Sequence, residues 1–281
     1  MIKISIILGS YNRINFLKSA IKSVRNNNIL CDYEIIVVDG GSTDGSLNWL
    51  IQQKDIITIT QHNRGEFNGK KIERKSWGYF MNLAFKCASG KYILMISDDC
   101  LMLPDSINNG VNQFEKLLNK GSKIGAIAFY WRNWPEMKDY WVGLAFGKIF
   151  VNHGLYLKNA LIDVDWINEV DYSFYHGDGD LSLKIWDKGY EIVDAEASFI
   201  EHFSHANIKV RKSNSETQKK DWDTYHEKWS NKVFNGKKYL GEWIYKSFHD
   251  KSKTYRNFPQ RTLISYFIKN KLRLIKTNII R

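Results

Sequence analysis

At 281 residues, 43% hydrophobic and 25% charged, the chain has room for one large α/β domain with an extension, or for two small domains, and reads as an ordinary soluble globular protein. No stretch approaches the ~18 apolar residues that cross a bilayer, and the first apolar run, Ile4 to Leu8, is too short for a signal peptide, so a cytoplasmic location is expected. The formal charge of +11 is uneven: residues 206–281 hold 19 Lys and Arg against 6 Asp and Glu, residues 1–205 hold 22 against 24, and no acid follows Asp250. Such a tail points to an anionic partner, whether lipid, nucleic acid or an acidic polymer. Cys31, Cys87 and Cys100 are odd in number and unpaired in spacing, which predicts small buried residues in a reducing compartment rather than a disulfide framework or a zinc site.

In chain order, Ile4 to Leu8 predicts a buried strand closed by Gly9, and Phe16, Leu17, Ala20, Ile21 and Val24 recur at helical spacing. Tyr33 to Val38 predicts a second strand. It runs into Asp39 and a polar loop where Ser42 or Asp44 would cap a helix carrying Leu47, Leu50 and Ile51. A third strand is expected over Ile56 to Thr60, a helix over Phe80 to Cys87, and a strand over Tyr92 to Ile96 that delivers Asp98 and Asp99. Strands alternating with helices in this way indicate βαβ units and a mainly parallel sheet flanked by helices. Ligands of such sheets bind beyond the carboxyl ends of the strands, which selects Ser10 to Arg13, Asp39 to Thr43 and the Asp98–Asp99 pair as neighbours. The stretch Phe129 to Trp141, FYWRNWPEMKDYW, reads as too polar for a simple core strand. Past residue 205 the parallel-sheet pattern ends, and a boundary is expected there: 1–205 as the α/β domain, with halves of about 1–100 and 101–205, and 206–281 as a basic, aromatic extension.

An ionised carboxylate in apolar surroundings is costly without a cation or donors to meet it, so the adjacent Asp98 and Asp99 need a partner. Two familiar phosphate motifs fail: LGSYNR has one glycine and no GxGxxG, and GEFNGKK is one residue short of the P-loop spacing and lacks its Ser or Thr. A hard divalent ion such as Mg²⁺ or Mn²⁺, held by carboxylates and substrate phosphates, answers the need. Two later segments strengthen this. HGDGDLSLK, His176 to Lys184, sets Asp178 and Asp180 among glycines that permit close substrate approach. SFIEHFSH ends a strand in His202 and His205, either of which adds a nitrogen ligand that suits Mn²⁺ better than Ca²⁺.

These segments together carry a resemblance. SIILGSYNR, IIVVDGGSTDGS, GKYILMISDD, GDGDLSLKIWDKGYEI and FIEHFSH resemble, in order and spacing across residues 1 to about 205, the inverting nucleotide-sugar glycosyltransferases of family two, whose fold is GT-A. The resemblance implies a nucleotide pocket from Ser10, Tyr11, Asn12, Arg13 and Gly41, with Tyr11 against the base and Asp39 at the base edge. It implies Asp98 at the ribose or metal shell, Asp99 as principal metal ligand, and His202 as second ligand with His205 in reserve. Asp178 aligns with the catalytic base, Asp180 would orient the acceptor or its loop, and Arg74 or Lys75 supplies the donor-loop charge. Gly177 stands where the family has an acid and Lys184 where arginine is common, which leaves acceptor identity open. The implied reaction is a single in-line displacement of a nucleotide diphosphate, a UDP-sugar in the first instance, by a glycan or lipid-linked saccharide hydroxyl, in bacterial surface polysaccharide synthesis.

Trp131, Trp134 and Trp141 would stack on an acceptor sugar or simply pack. From Thr262 to Ile279, Ile264, Ile268, Leu272, Ile275 and Ile279 fall on one helical face with Lys269, Arg273 and Lys276 at its borders, a basic amphipathic pattern that predicts docking on the inner face of a membrane, packing against the domain or a dimer contact. A competing class is an RNA-binding or scaffolding protein that uses the basic aromatic tail, but no RNA-recognition signature accompanies it. Oligomeric state is left open.

Overall fold

The structure, a computed structural model, describes residues 3–63, 65–204, 214–215, 217–230, 232, 242–260, 264–268 and 271. The first hundred residues follow the expected alternation. β1 (Ile4–Ser10), α1 (Ile14–Arg25), β2 (Tyr33–Asp39), α2 (Ser46–Leu50) and β3 (Ile56–Thr60) come first. A small hairpin, β4 (Glu66–Phe67) and β5 (Lys70–Lys71), precedes α3 (Trp77–Cys87) and β6 (Tyr92–Ser97). β6, β1, β2 and β3 lie side by side and parallel, and the apolar residues of the inner strands, Ile4, Ile6, Leu8, Ile36 and Val37 among them, are buried, while the edge strand β3 leaves Ile57 exposed. Near-continuous β-branched runs are what a sheet covered on both faces demands. Neither expected cap takes the N-cap of α2, which is Gly45 in the left-handed conformation; Asp44, one residue earlier, accepts the Ser46 N–H at 3.0 Å, and Ser42 Oγ accepts the Asn12 N–H.

The second half is mixed. β7 (Cys100–Met102), α4 (Ser106–Asn119), β8 (Ile124–Asn133), β9 (Tyr140–Ala145), β10 (Lys148–Ile149) and β11 (Gly154–Leu157) precede α5 (Lys158–Asp163), α6 (Gly177–Asp187) and β12 (Glu191–His202). β11 joins β6 to β8 antiparallel, so one sheet runs through both halves in the order β10-β9-β8-β11-β6-β1-β2-β3. The stretch expected to be too polar for a core strand divides: Phe129, Tyr130 and Trp131 are buried in β8, where Tyr130 and Trp131 pair with β12 and Trp131 also with Trp141 of β9, and the turn from Trp134 to Asp139 stays nearer the surface. Cys31, Cys87 and Cys100 are free thiols; Cys100 is buried as expected, but Cys87, on the last turn of α3, is exposed.

The described parts of 206–281 do not stand apart from the α/β body. Helix α7 (Gln218–Trp229) packs Tyr225 and Trp229 into a cluster with Phe146, Tyr172 and Leu183, and β13 (Trp243–Lys246) adds to the sheet antiparallel to β9. A short 3₁₀ turn, Thr254–Asn257, leads Phe258 into a second cluster with Phe16, Leu101 and Phe203. Of the expected amphipathic helix, Ile264 and Ile268 are described and exposed; Leu272, Ile275, Ile279 and the flanking Lys269, Arg273 and Lys276 lie outside the described residues.

Candidate active site

The strand register builds the site. Ser10 pairs with Asp39, and Gly9 pairs with Val38 on one side and Ser97 on the other, so the carboxyl ends of β1, β2 and β6 finish level and their loops open on one cleft. β12 reaches the same place from the other half: its last residues pair antiparallel with β7, His202 opposite Cys100, which sets His202 beside Asp99 although about a hundred residues separate them. The cleft, of about 540 Å³, is lined by Ser10, Tyr11, Arg13, Arg74, Lys75, Asp98, Asp99, Trp131, Asp178 and His202 from the residues singled out in the sequence.

Asp98 and Asp99 meet protein donors first. Arg13 Nη1 donates to Asp98 Oδ1 at 2.7 Å and to Asp99 Oδ2 at 2.9 Å, and Ser10 Oγ donates to Asp98 Oδ2 at 2.8 Å. Burial pushes the Asp98 carboxyl up to about 6; Arg13 pulls against that rise, and the Asp99 charge adds to it. Burial alone would lower the Arg13 guanidinium, but the two carboxylates outweigh it and hold it above its ordinary value. His202 Nδ1–H donates to Asn133 Oδ1 at 2.6 Å, because an amide oxygen can only accept. That bond fixes the tautomer and turns Nε2 toward Asp99 Oδ1, 3.5 Å away. Ligand atoms of Asp99, Cys100 and His202 lie within 4.8 Å of one another. A carboxylate oxygen and an imidazole nitrogen with its lone pair aimed at the same point fit a divalent cation of the Mn²⁺ type. Cys100 suits it less, since burial, with the Asp99 charge adding, keeps its thiol well above the ordinary value.

Asp178 lies on the first turn of α6. Asn152 Nδ2 donates to its Oδ2 at 2.7 Å and the Gly179 N–H to its Oδ1 at 2.9 Å, which sets the carboxylate plane toward the cleft. Arg74 Nη2 donates to Asn214 at 2.7 Å and its guanidinium lies over the Phe174 ring, whereas Lys75 pairs with Glu73 at the rim. Trp131, Trp141, Trp243 and Phe150 form an aromatic wall, with Trp141 and Trp243 edge to face at 3.6 Å between ring centroids.

Several residues occupy other places than expected. Asp39 is fully buried beneath the cleft floor: its Oδ1 accepts the N–H groups of Gly41 and Ser42, and its Oδ2 has no partner among the described residues. Gly41, with φ +85°, makes the turn over His62, and Asn12 braces the same loop by accepting the Thr43 N–H; neither lines the cleft. Asp180, expected near the acceptor, is buried on the opposite side of α6, where its Oδ1 accepts from Tyr172 Oη, Trp229 Nε1 and Lys228 Nζ at 3.0, 2.8 and 2.9 Å. Trp134 is likewise off the cleft, stacked on Tyr255 with centroids 4.9 Å apart. The glycines around Asp178 make room for protein rather than substrate: a Cβ on Gly177 would meet the Trp77 ring at 2.9 Å, and one on Gly179 the Tyr225 hydroxyl at 2.9 Å. Lys184 donates to the Trp166 carbonyl, away from the cleft, and His205 lies outside the described residues. Sequence reasoning missed Asn133 and Asn152, which orient His202 and Asp178, and the buried His153, whose Nε2 lies 3.5 Å from Cys100 Sγ and which burial, with His202 adding, lowers to about 3. An asparagine inside an apolar strand or turn is a weak signal that only its neighbours make legible.

Residues 5–168 match the family model described as glycosyl transferase family 2. The chain belongs to glycosyl transferase family 2. Among curated relatives of this family 2 chain, an uncharacterized glycosyltransferase of Rickettsia conorii is 36% identical over 139 residues, 44% of this chain and 21% of its own length. Chondroitin synthase of Escherichia coli is 28% identical over 128 residues, 44% of this chain and 17% of its own length. The family 2 chain thus spans about a fifth of the length of these two relatives. Among solved structures, S. aureus TarS 1–349 superposes with a TM-score of 0.55 at 14% identity, over 85% of this chain and 76% of that one. The mannosyltransferase PcManGT of Pyrobaculum calidifontis, in complex with GDP-Man and Mn²⁺, gives 0.52 at 17% identity, over 71% and 56%. These likenesses show that the fold is GT-A.

Proposed function

We propose that this family 2 transferase moves a sugar from a nucleotide-diphosphate donor, a UDP-sugar in the first instance, to a hydroxyl of a glycan or lipid-linked saccharide, with inversion at the anomeric carbon. The observation that carries the reading is the convergence of two separately built groups on one cleft: Asp98, Asp99 and His202 at the strand ends, and Asp178 at the start of α6. TarS has been solved with UDP and with UDP-GlcNAc, and PcManGT with GDP-Man and Mn²⁺, which supports a nucleotide-sugar donor and a divalent ion here.

In this reading Tyr11 packs on the base, and Asp39, buried beneath the floor, serves indirectly by holding the Gly41 and Ser42 N–H groups of the loop beside Tyr11. Ser10 and Arg13 hold Asp98 toward the ribose. Asp99 and His202 would hold the divalent ion, which when bound would supply positive charge to the leaving diphosphate. Arg74 and Lys75 add positive charge at the rim. Asp178 accepts the proton of the acceptor hydroxyl while that oxygen bonds to the anomeric carbon and the bond to the diphosphate breaks; for this it must come within ~3 Å of the hydroxyl. Trp131, with Trp141 and Trp243, offers a face on which an acceptor ring stacks. The exposed apolar side chains Ile264, Phe267 and Ile268, in a stretch of chain that also exposes Lys251, Lys253 and Arg256, support docking on an anionic membrane surface where lipid-linked acceptors for surface polysaccharide are presented.

Calorimetric titration with UDP-, GDP-, dTDP- and CDP-sugars, with and without Mn²⁺, tests the donor. Binding should depend on the metal and on Asp99, so that Asp99→Ala loses the Mn²⁺-dependent part. Asp178→Asn should keep donor affinity within about threefold and lower transfer by roughly 10²–10⁴-fold. Absence of binding by every nucleotide sugar would overturn the reading.

A further inference from the structure

The segment that leads into Asp178 is irregular from Ser173 to His176, and its backbone is held from outside by one side chain. Asp221, on the first turn of α7, is fully buried. Its Oδ1 accepts the Ser173 N–H at 2.9 Å, and its Oδ2 accepts the N–H groups of Phe174 and Tyr175 at 2.8 and 2.9 Å. Three consecutive amides converging on a carboxylate make charge-assisted hydrogen bonds, the strong kind, in a place where water cannot substitute. Phe174, Tyr175 and His176 then line the cleft, and Asp178 follows two residues later.

The grip is reciprocal. At the far end of α7, Trp229 and Lys228 donate to Asp180, two residues beyond Asp178, and between the two anchors Tyr225 lies against Gly179. Each element therefore contributes one buried carboxylate to the other, and Asp178 lies between the two anchors. Both α6 and α7 lie beyond the stretch 5–168 that matches the family model.

We propose that Asp221 is a positioning residue for transfer: by fixing residues 173–175 it sets where α6 begins, and so where the Asp178 carboxylate stands relative to the donor, without itself touching substrate. The proposal rests on Asp178 being the base. Asn152 and the Gly179 N–H orient the carboxylate of Asp178, but they do not fix the backbone that precedes it. A misplacement of ~1 Å at a reacting group costs on the order of 10²-fold in rate, so a loosened segment should be read in kcat. If α7 merely completed the core, losing the carboxylate would lower stability and leave kcat alone.

The test uses full-length Asp221→Asn, which keeps the shape and one acceptor oxygen but loses the charge, and Asp221→Glu, which keeps the charge and displaces it by one methylene. Amide hydrogen exchange at 173–175, affinity for UDP with Mn²⁺, thermal midpoint, and kcat and KM with the nucleotide sugar that binds in the donor screen are measured on each. For Asp221→Asn the expected result is exchange at these three amides faster by at least about tenfold, UDP affinity within about threefold, and kcat lower by roughly ten- to a hundredfold at unchanged donor KM. Asp221→Glu should retain the wild-type midpoint more nearly and still lose kcat. Wild-type kcat in either folded variant overturns the proposal, as does a loss of UDP affinity in proportion to kcat. A wild-type chain that turns over no nucleotide sugar overturns the transferase reading beneath it, which the exchange data would distinguish from a failure of Asp221 to hold the segment.

Discussion

Gly177 and Gly179 flank Asp178 because the first turn of α6 is wedged between two aromatic side chains, Trp77 on one side and Tyr225 on the other. Neither glycine has a positive φ, so close approach rather than backbone conformation accounts for both. Gly179→Ala should therefore destabilise: the new methyl meets the Tyr225 hydroxyl at 2.9 Å, and overpacking of this kind costs about 1–3 kcal/mol, against which the better helix propensity of alanine returns about 1 kcal/mol. A fall of roughly 2–6 °C in the thermal midpoint is expected, and a midpoint at or above wild type would show that Tyr225 moves aside freely. At this scale Asp98, Asp99, Asp178 and His202 were legible in the sequence, because charged or ligating groups at the ends of apolar runs demand a compensating partner. Their partners were not. That Arg13 spans Asp98 and Asp99, that Asn133 turns His202, and that Asp180 faces α7 rather than the cleft depends on side chains 8 to 86 positions away.

At the scale of elements, the strand β12 carries the decisive pairing. Its end lies between β7 and β8, and alternate residues face opposite ways: His202 points into the cleft while Glu201 points into the protein. Glu201 is fully buried and takes two hydrogen bonds from Arg132, at 2.7 and 2.9 Å, and one from Tyr140 Oη at 2.6 Å. Removing it leaves the Arg132 guanidinium without its counter-charge, a change that costs about 3–5 kcal/mol for a buried pair. Arg132 keeps a little exposure, so Glu201→Ala should lose about 3 kcal/mol in urea unfolding, and donor affinity should weaken as β12 loosens beside His202. A loss below about 1 kcal/mol would mean that the guanidinium finds water. The parallel half, β1 to β3 and β6, was legible from its apolar runs and turn glycines. The antiparallel half was less so, since β9, β10 and β11 are short and their polar and aromatic residues are explained only by the strands beside them.

For the whole molecule, charge and apolar exposure concentrate at one end of the chain. From Lys251 onward there are 9 Lys and Arg and no acid, and Ile264, Phe267 and Ile268 present three exposed apolar side chains within one turn. Tyr266, between them, faces Phe203, the residue after His202, so this surface adjoins the strand that serves the cleft. Full-length protein should sediment with vesicles containing about 30% anionic phospholipid and be released by about 0.5 M salt, since each surface cation contributes ~1 kcal/mol that ions screen. Serine at 264, 267 and 268 together should weaken that binding by at least about tenfold. Equal binding to neutral vesicles, or no effect of the three serines, would sink the idea. The sequence by itself determined the class of fold and the chemistry on offer, because apolar periodicity sets strands and helices locally and a carboxylate pair in an apolar run needs a cation or donors. Only the tertiary structure decided which side of α6 each aspartate faces and that Asp221, in the basic extension, holds the backbone of residues 173–175, because those outcomes depend on contacts between residues far apart in the chain, which local pattern does not encode.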